Sequence, residues 1–80
     1  MNNEISQKVL NKLKKLSKKK VNESDELNLL NIDSLDFAEL LIELEEEYKI
    51  SISDEELLNL KTVKDVVDII QIKMKQLHQN

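Results

Sequence analysis

Residues 30 to 48 read LNIDSLDFAELLIELEEEY, and their pattern decides the architecture of the chain. Phe37, Leu40, Leu41, Leu44 and Tyr48 recur at the spacing that lines one face of an α-helix. Asp33 stands where an N-cap is wanted, and Asp33 and Asp36 complement the positive end of the helix dipole. The stretch therefore predicts a helix from about Ser34 to Tyr48. Leu35, Ala38 and Ile42 fall on a different side at helical spacing, interleaved with Glu39, Glu43, Glu45 and Glu46. That second stripe either widens the core face or offers a docking surface to a partner.

Outward from this helix the chain reads as three more helical stretches and one unusual loop. Ile5, Val9, Leu13 and Leu16 recur at steps of four, four and three, with Leu10 beside them and Lys elsewhere, which is the stripe of an amphipathic helix. Residues 21 to 33, VNESDELNLLNID, mix turn formers with Leu27, Leu29, Leu30 and Ile32, so they predict an ordered loop packed on the core. Beyond Tyr48, the extended piece KISIS leads into Ser53-Asp54-Glu55-Glu56, where Ser53 and Glu56 can form a capping box and open a short third helix. Thr62 and Asp65 repeat that start signal more weakly ahead of Val63, Val66, Val67, Ile70, Met74 and Leu77, a last helix ending near His78.

Composition sets the bounds. Eighty residues without Cys lie at the lower edge of what a single core can stabilise, so one domain over residues 1–80 is expected. Phe37 and Tyr48 are the only aromatic residues, and an apolar set of Leu, Ile and Val suits packed helices. The fold class is all-α: a small four-helix bundle of three longer helices and one short one. Gly and Pro are absent altogether, so Asn, Asp and Ser must shape the turns. No opening stretch reads as a signal peptide and no run approaches the roughly 18 apolar residues of a membrane span, which makes a soluble, cytoplasmic monomer the expectation.

The formal net charge of −4 conceals a division. Residues 1–20 hold seven Lys against Glu4 alone, whereas the remaining sixty hold five Lys against fifteen acids. A body that acidic repels nucleic acid and attracts partners with basic patches.

Ser34 is a hydroxyl at a helix N-terminus between two carboxylates, where the dipole and backbone N–H groups favour a bound phosphate. An ordinary N-cap would use the same residue. The chain offers Ser34 no base to activate it, since its one His is residue 78 near the end, where a solvated tail side chain is expected. Without Gly there is no nucleophile elbow, P-loop or dinucleotide fingerprint. No Cys or His cluster suggests a metal site, and Glu43, Glu46 and Glu47 read as a solvated acidic face, with weak divalent-cation binding as the alternative. The chain is thus not expected to be an enzyme.

The segment Leu30-Asn31-Ile32-Asp33-Ser34-Leu35-Asp36 resembles the L-G-x-D-S-L signature of the acyl carrier proteins. Residues 34–48 look like that family's acidic second helix over its whole length. Ile50, Ile52 and Ser53–Glu56, then residues 62–70, are similar to its third and fourth helices. The likeness covers about residues 27 to 72 and extends to the first helix only in pattern, that helix being more basic than the family norm. It implies that Ser34, flanked by Asp33 and Leu35, receives a 4'-phosphopantetheine arm from coenzyme A through a phosphopantetheinyl transferase. The arm would carry acyl groups as thioesters, in fatty acid or related lipid or polyketide biosynthesis. On this carrier reading Asp36, Ala38, Glu39, Ile42, Glu43, Glu45 and Glu46 of the acidic helix meet basic patches on acyl-transferring and chain-elongating enzymes, and the resemblance implies that the acyl chain lies in the apolar interior. Asn31 replaces the family's usual Gly, and Asn is the non-Gly residue that best tolerates a left-handed backbone. Two alternatives stand beside this reading: a peptidyl or other specialised carrier, and a nucleic-acid or helical interaction module using the Lys-rich first helix. Asp33 before Ser34 resembles acyl carriers rather than peptidyl ones, in which that position is more often His. Nucleic-acid binding lacks aromatic stacking residues and a surface free of acids.

Overall fold

The computed structural model describes residues 3–77, and the helices fall where the apolar periodicity puts them. They are α1 (Asn3–Ser17), α2 (Ser34–Tyr48), the single-turn-length α3 (Asp54–Leu58) and α4 (Val63–Leu77). A 3₁₀ turn, Leu27–Leu29, sits within the long connection between α1 and α2. α1 packs chiefly on α4 and more lightly on α2.

The core is aliphatic throughout. α1 contributes Ile5, Val9 and Leu13, α2 contributes Leu40, Leu41 and Leu44, and α4 contributes Val63, Val66, Val67 and Ile70. Val21, Leu30 and Ile52 fill it from the connections, while Phe37, Tyr48 and Met74 pack half-buried against its edge. Among the described residues no polar or charged side chain is buried, so no internal polar network has to be satisfied. Burying one such Leu or Val contributes about 1.5–3 kcal/mol. The side chain of Leu77, and His78 with its expected solvated position, lie outside the described residues.

The loop over residues 21–33 is ordered for a definable reason: it completes the start of α4. The backbone N–H groups of Val63 and Lys64 donate to the carbonyls of Asp25 and Glu23 at 3.0 and 2.8 Å, and Leu27 N–H donates back to Lys61 at 2.8 Å. First-turn donors of a helix have no intrahelical partner, and here loop carbonyls take that place. Asp65 adds a cap, accepting from the N–H groups of Lys61 and Thr62 at 3.0 and 3.1 Å, while its own N–H meets Thr62 Oγ1 at 3.2 Å. The capping box of α3 is formed as expected, Glu56 N–H on Ser53 Oγ and Ser53 N–H on Glu56 Oε1.

In a chain without glycine, three left-handed positions among the described residues are held by Lys18, Asn31 and Lys49, with φ of 60°, 57° and 56°. Lys18 and Lys49 close α1 and α2, their N–H groups bonding to the carbonyls of Lys14 and Glu45. Asn31 turns the chain into the residues ahead of α2, the conformation its side-chain type tolerates best. One expectation is corrected. Asp33 occupies the N-cap position of α2 and its carbonyl accepts from Phe37 N–H at 2.9 Å, but its carboxylate makes no capping hydrogen bond. The side chain stays exposed and contributes to the start of the helix only through its charge.

Candidate functional site

Ser34 is the first residue of α2 and is exposed, as are Asp33, Leu35 and Asp36 around it. The Asp33 carboxylate makes no capping hydrogen bond to the first-turn N–H groups beside Ser34. One turn further, Phe37 is half-buried and stands between two clefts that both reach Ser34. The first, about 370 Å³, opens between α2 and α3 and is lined by Phe37, Ala38, Leu41, Ile42, Ile52 and Leu57, with Glu45 and Asp54 at its margin. The second, about 480 Å³, opens toward the loop, against Leu27, Asn28, Ile32, Leu58, Leu60 and Lys61. Clefts of this size accommodate small ligands, and both are lined largely by apolar side chains.

α2 resolves the two stripes seen in its sequence. Leu40, Leu41 and Leu44 face the core, whereas Leu35, Ala38 and Ile42 are exposed, Leu35 at 72% and Ile42 at 52% of their full area. The second stripe does not widen the core.

The acids of α2 separate into groups with different partners. Glu39 and Glu46 are exposed and form no ion pair among the described residues. Glu43 accepts from Lys12 of α1 at 3.0 Å, and Glu47 is paired with Lys8 of the same helix. Hydrogen bonding to Glu47 holds the Lys8 ammonium above its ordinary value of 10.5, and burial raises the neighbouring Tyr48 phenol above 10.0. Glu45 is half-buried, and its Oε2 accepts the Ile52 backbone N–H at 2.7 Å. Its carboxylate therefore anchors the segment after α2, a role its position among the other acids gave no sign of. The Lys8 and Lys12 pairs were equally invisible in sequence, although their i, i+4 spacing on α1 matches that of Glu43 and Glu47 on α2.

The site thus combines an exposed hydroxyl on a helix N-terminus, two clefts that reach it, and an acidic helix with an outward apolar stripe. Residues 5–70 match the family model described as the phosphopantetheine attachment site. An acyl carrier protein homolog of Mycoplasmopsis pulmonis is 42% identical over 71 residues, covering 89% of this chain and 97% of that protein. An acyl carrier protein of Buchnera aphidicola is 41% identical over 69 residues, 86% of each chain. The crystal structure of an acyl carrier protein from Thermotoga maritima superposes with a TM-score of 0.75 at 28% identity, covering 91% of this chain and 89% of that one. The chain belongs to the phosphopantetheine-binding family and, within it, to the acyl carrier proteins. It is a carrier and not a catalyst, and the group it holds covalently is 4'-phosphopantetheine.

Proposed function

We propose that Ser34 is the residue that bears the arm. Support comes from one observation above the others: its hydroxyl is exposed at the start of α2, where two apolar clefts meet. A phosphodiester on Ser34 Oγ is favoured by the first-turn N–H groups and the positive end of the helix dipole. When bound, the arm supplies a thiol that holds the acyl group as a thioester. The chain's own part is to orient and shelter: Phe37, Leu41, Ile42, Ile52 and Leu57 provide an apolar lining for the acyl chain.

The flanking residues take defined roles in this reading. Asp33 and Leu35 frame the attachment point for the transferase. Glu39, Glu43 and Glu46, with Asp36, attract cationic surfaces of acyl-transferring and chain-elongating enzymes, and Leu35, Ala38 and Ile42 supply the apolar centre of the contact. Glu45 enters it mainly by fixing the segment from Ile50 to Ile52. The cargo is an acyl group of fatty acid or related lipid or polyketide biosynthesis, carried by a monomer of one domain in the cytoplasm. Among the described residues no helix is long and apolar enough to cross a membrane.

Incubation with coenzyme A and a phosphopantetheinyl transferase, followed by intact-mass measurement, tests the assignment. The wild-type chain gains the arm and Ser34→Ala does not, while both keep the same helical spectrum because Ser34 is exposed and makes no side-chain cap. An Ala variant that still gains the mass would place the arm on another residue.

A further inference from the structure

The Lys-rich first helix lies away from Ser34, yet two of its lysines, Lys8 and Lys12, reach the acids of α2. Lys8 pairs with Glu47 and Lys12 with Glu43, so four residues forward along α1 match four residues backward along α2. The antiparallel register continues: Lys12 and Lys15 line a shallow cleft of about 240 Å³ with Asp36, Glu39 and Glu43. Glu43 and Glu47 thus face α1, while Leu35 and Ile42 lie exposed on the outward side. Between those two flanks stand Glu39 and Glu46, seven residues and therefore about 10 Å apart along the helix.

We propose that α1 is an internal competitor for the acids of α2: Lys12 holds Glu43, so a basic partner engages Glu39 and Glu46 first and must displace Lys12 to use Glu43. The inference rests on the reading of α2 as the docking helix and specifies what kind of surface fits it. A matching partner presents two cations about two helical turns apart with an apolar side chain between them, to meet Glu39, Glu46 and the Leu35–Ile42 stripe. A partner whose cations are centred on Glu43 meets an ammonium already in place. The Lys12–Glu43 pair is well suited to that task because it is weak. Glu43 is 62% exposed and Lys12 28%, so the carboxylate end of the pair is open to solvent, and a pair at the surface contributes little to stability and is screened by salt. Partner cations can therefore replace Lys12 without loosening the aliphatic core, and like-charge repulsion from Lys12 selects against those that cannot.

The test uses the full chain, coenzyme A and a phosphopantetheinyl transferase, with association measured by stopped flow at low and physiological salt. Lys12→Gln frees Glu43 and is expected to raise the association rate about two- to fivefold at low salt, the range corresponding to an exposed ion pair. Lys14→Gln makes the same change in net charge at an exposed lysine that forms no ion pair among the described residues, and it should give a clearly smaller rise. In a Glu43→Gln background the extra gain from Lys12→Gln should vanish, and Lys12→Arg, which can keep the pair, should behave as wild type. Equal effects of Lys12→Gln and Lys14→Gln, or a gain that survives Glu43→Gln, would overturn the proposal. Loss of the helical spectrum in Lys12→Gln would do the same by making the pair structural. A wild-type chain that takes no arm would instead refute the Ser34 assignment, which keeps the two failures apart.

Discussion

Glu45 Oε2 accepts the backbone N–H of Ile52 at 2.7 Å, and this bond ties the last turn of α2 to the extended segment that follows it. Ile52 is buried in the core, so the carboxylate holds the backbone of a residue whose side chain packs inside the bundle.

Glu45→Ala should therefore act on stability more than on docking. Removing an ionised acceptor from a partly buried N–H is expected to cost about 1–2 kcal/mol, which lowers the Tm of a domain this size by roughly 4–8 °C per kcal/mol. Glu45→Gln, which keeps an acceptor, should lose less, and Glu46→Ala should stay within about 0.5 kcal/mol of wild type. Thermal unfolding of the three variants checks the order.

The left-handed positions offer a gain. Lys49 adopts φ 56° at the C-cap of α2, a conformation that hinders any residue with a Cβ. Lys49→Gly relieves the clash but gives the unfolded chain more freedom, for a net stabilisation of about 0.5–1 kcal/mol. Asn31→Gly should gain less, because Asn already tolerates its φ of 57°. Urea unfolding would read both, and an equal or larger gain at Asn31 would contradict the account.

Two caps make the fold sensitive to acid. The Ser53 N–H, and then Lys73, hold the Glu56 carboxyl below 4.5, while the N–H groups of Lys61 and Thr62 hold Asp65 below 3.8. Carboxyls with lowered folded-state values stabilise fully above their unfolded values and lose that contribution as pH falls through the folded ones. Glu56→Gln with Asp65→Asn should therefore lower stability at neutral pH yet flatten its fall between about pH 5 and pH 2. Lys8 works in the opposite sense: its raised value contributes fully below 10.5 and is lost as pH climbs through it. Chemical denaturation across pH measures both limbs.

Charge and apolar contact on α2 should separate kinetically. Reversing Glu39 and Glu43 to Lys slows association with the transferase and reduces its salt dependence, since rim charges act on encounter. Ile42→Asp places a charge in the centre of the contact and should act through faster dissociation, roughly tenfold or more. Because Ile42 is half exposed, the variant should remain folded. An unchanged association rate and salt slope for the double Lys variant would remove electrostatic steering from the picture while leaving Ser34 untouched.

Local chemistry alone determined the four helices, their order and most of their ends. Apolar residues at helical spacing, the Ser53–Glu56 box and the Thr62–Asp65 start are interactions within a few residues, and such signals survive in a linear string. Ser34 and its flanking residues stand out as candidates for the same reason, since the signature they resemble is a contiguous segment, and Asn31 tolerates its left-handed turn through a property of its own side chain. Tertiary structure decided what depends on residues far apart. Whether Leu35, Ala38 and Ile42 were core or surface turned on how the rest of the chain packs against α2, and the core takes Leu40, Leu41 and Leu44 while leaving that stripe exposed. The acids of α2 look alike in sequence, yet Glu43 meets Lys12, Glu47 meets Lys8, Glu45 meets a backbone N–H, and Glu39 and Glu46 form no ion pair among the described residues. Folding sorts identical carboxylates by bringing different groups to each, and only the path of the chain in three dimensions supplies those neighbours.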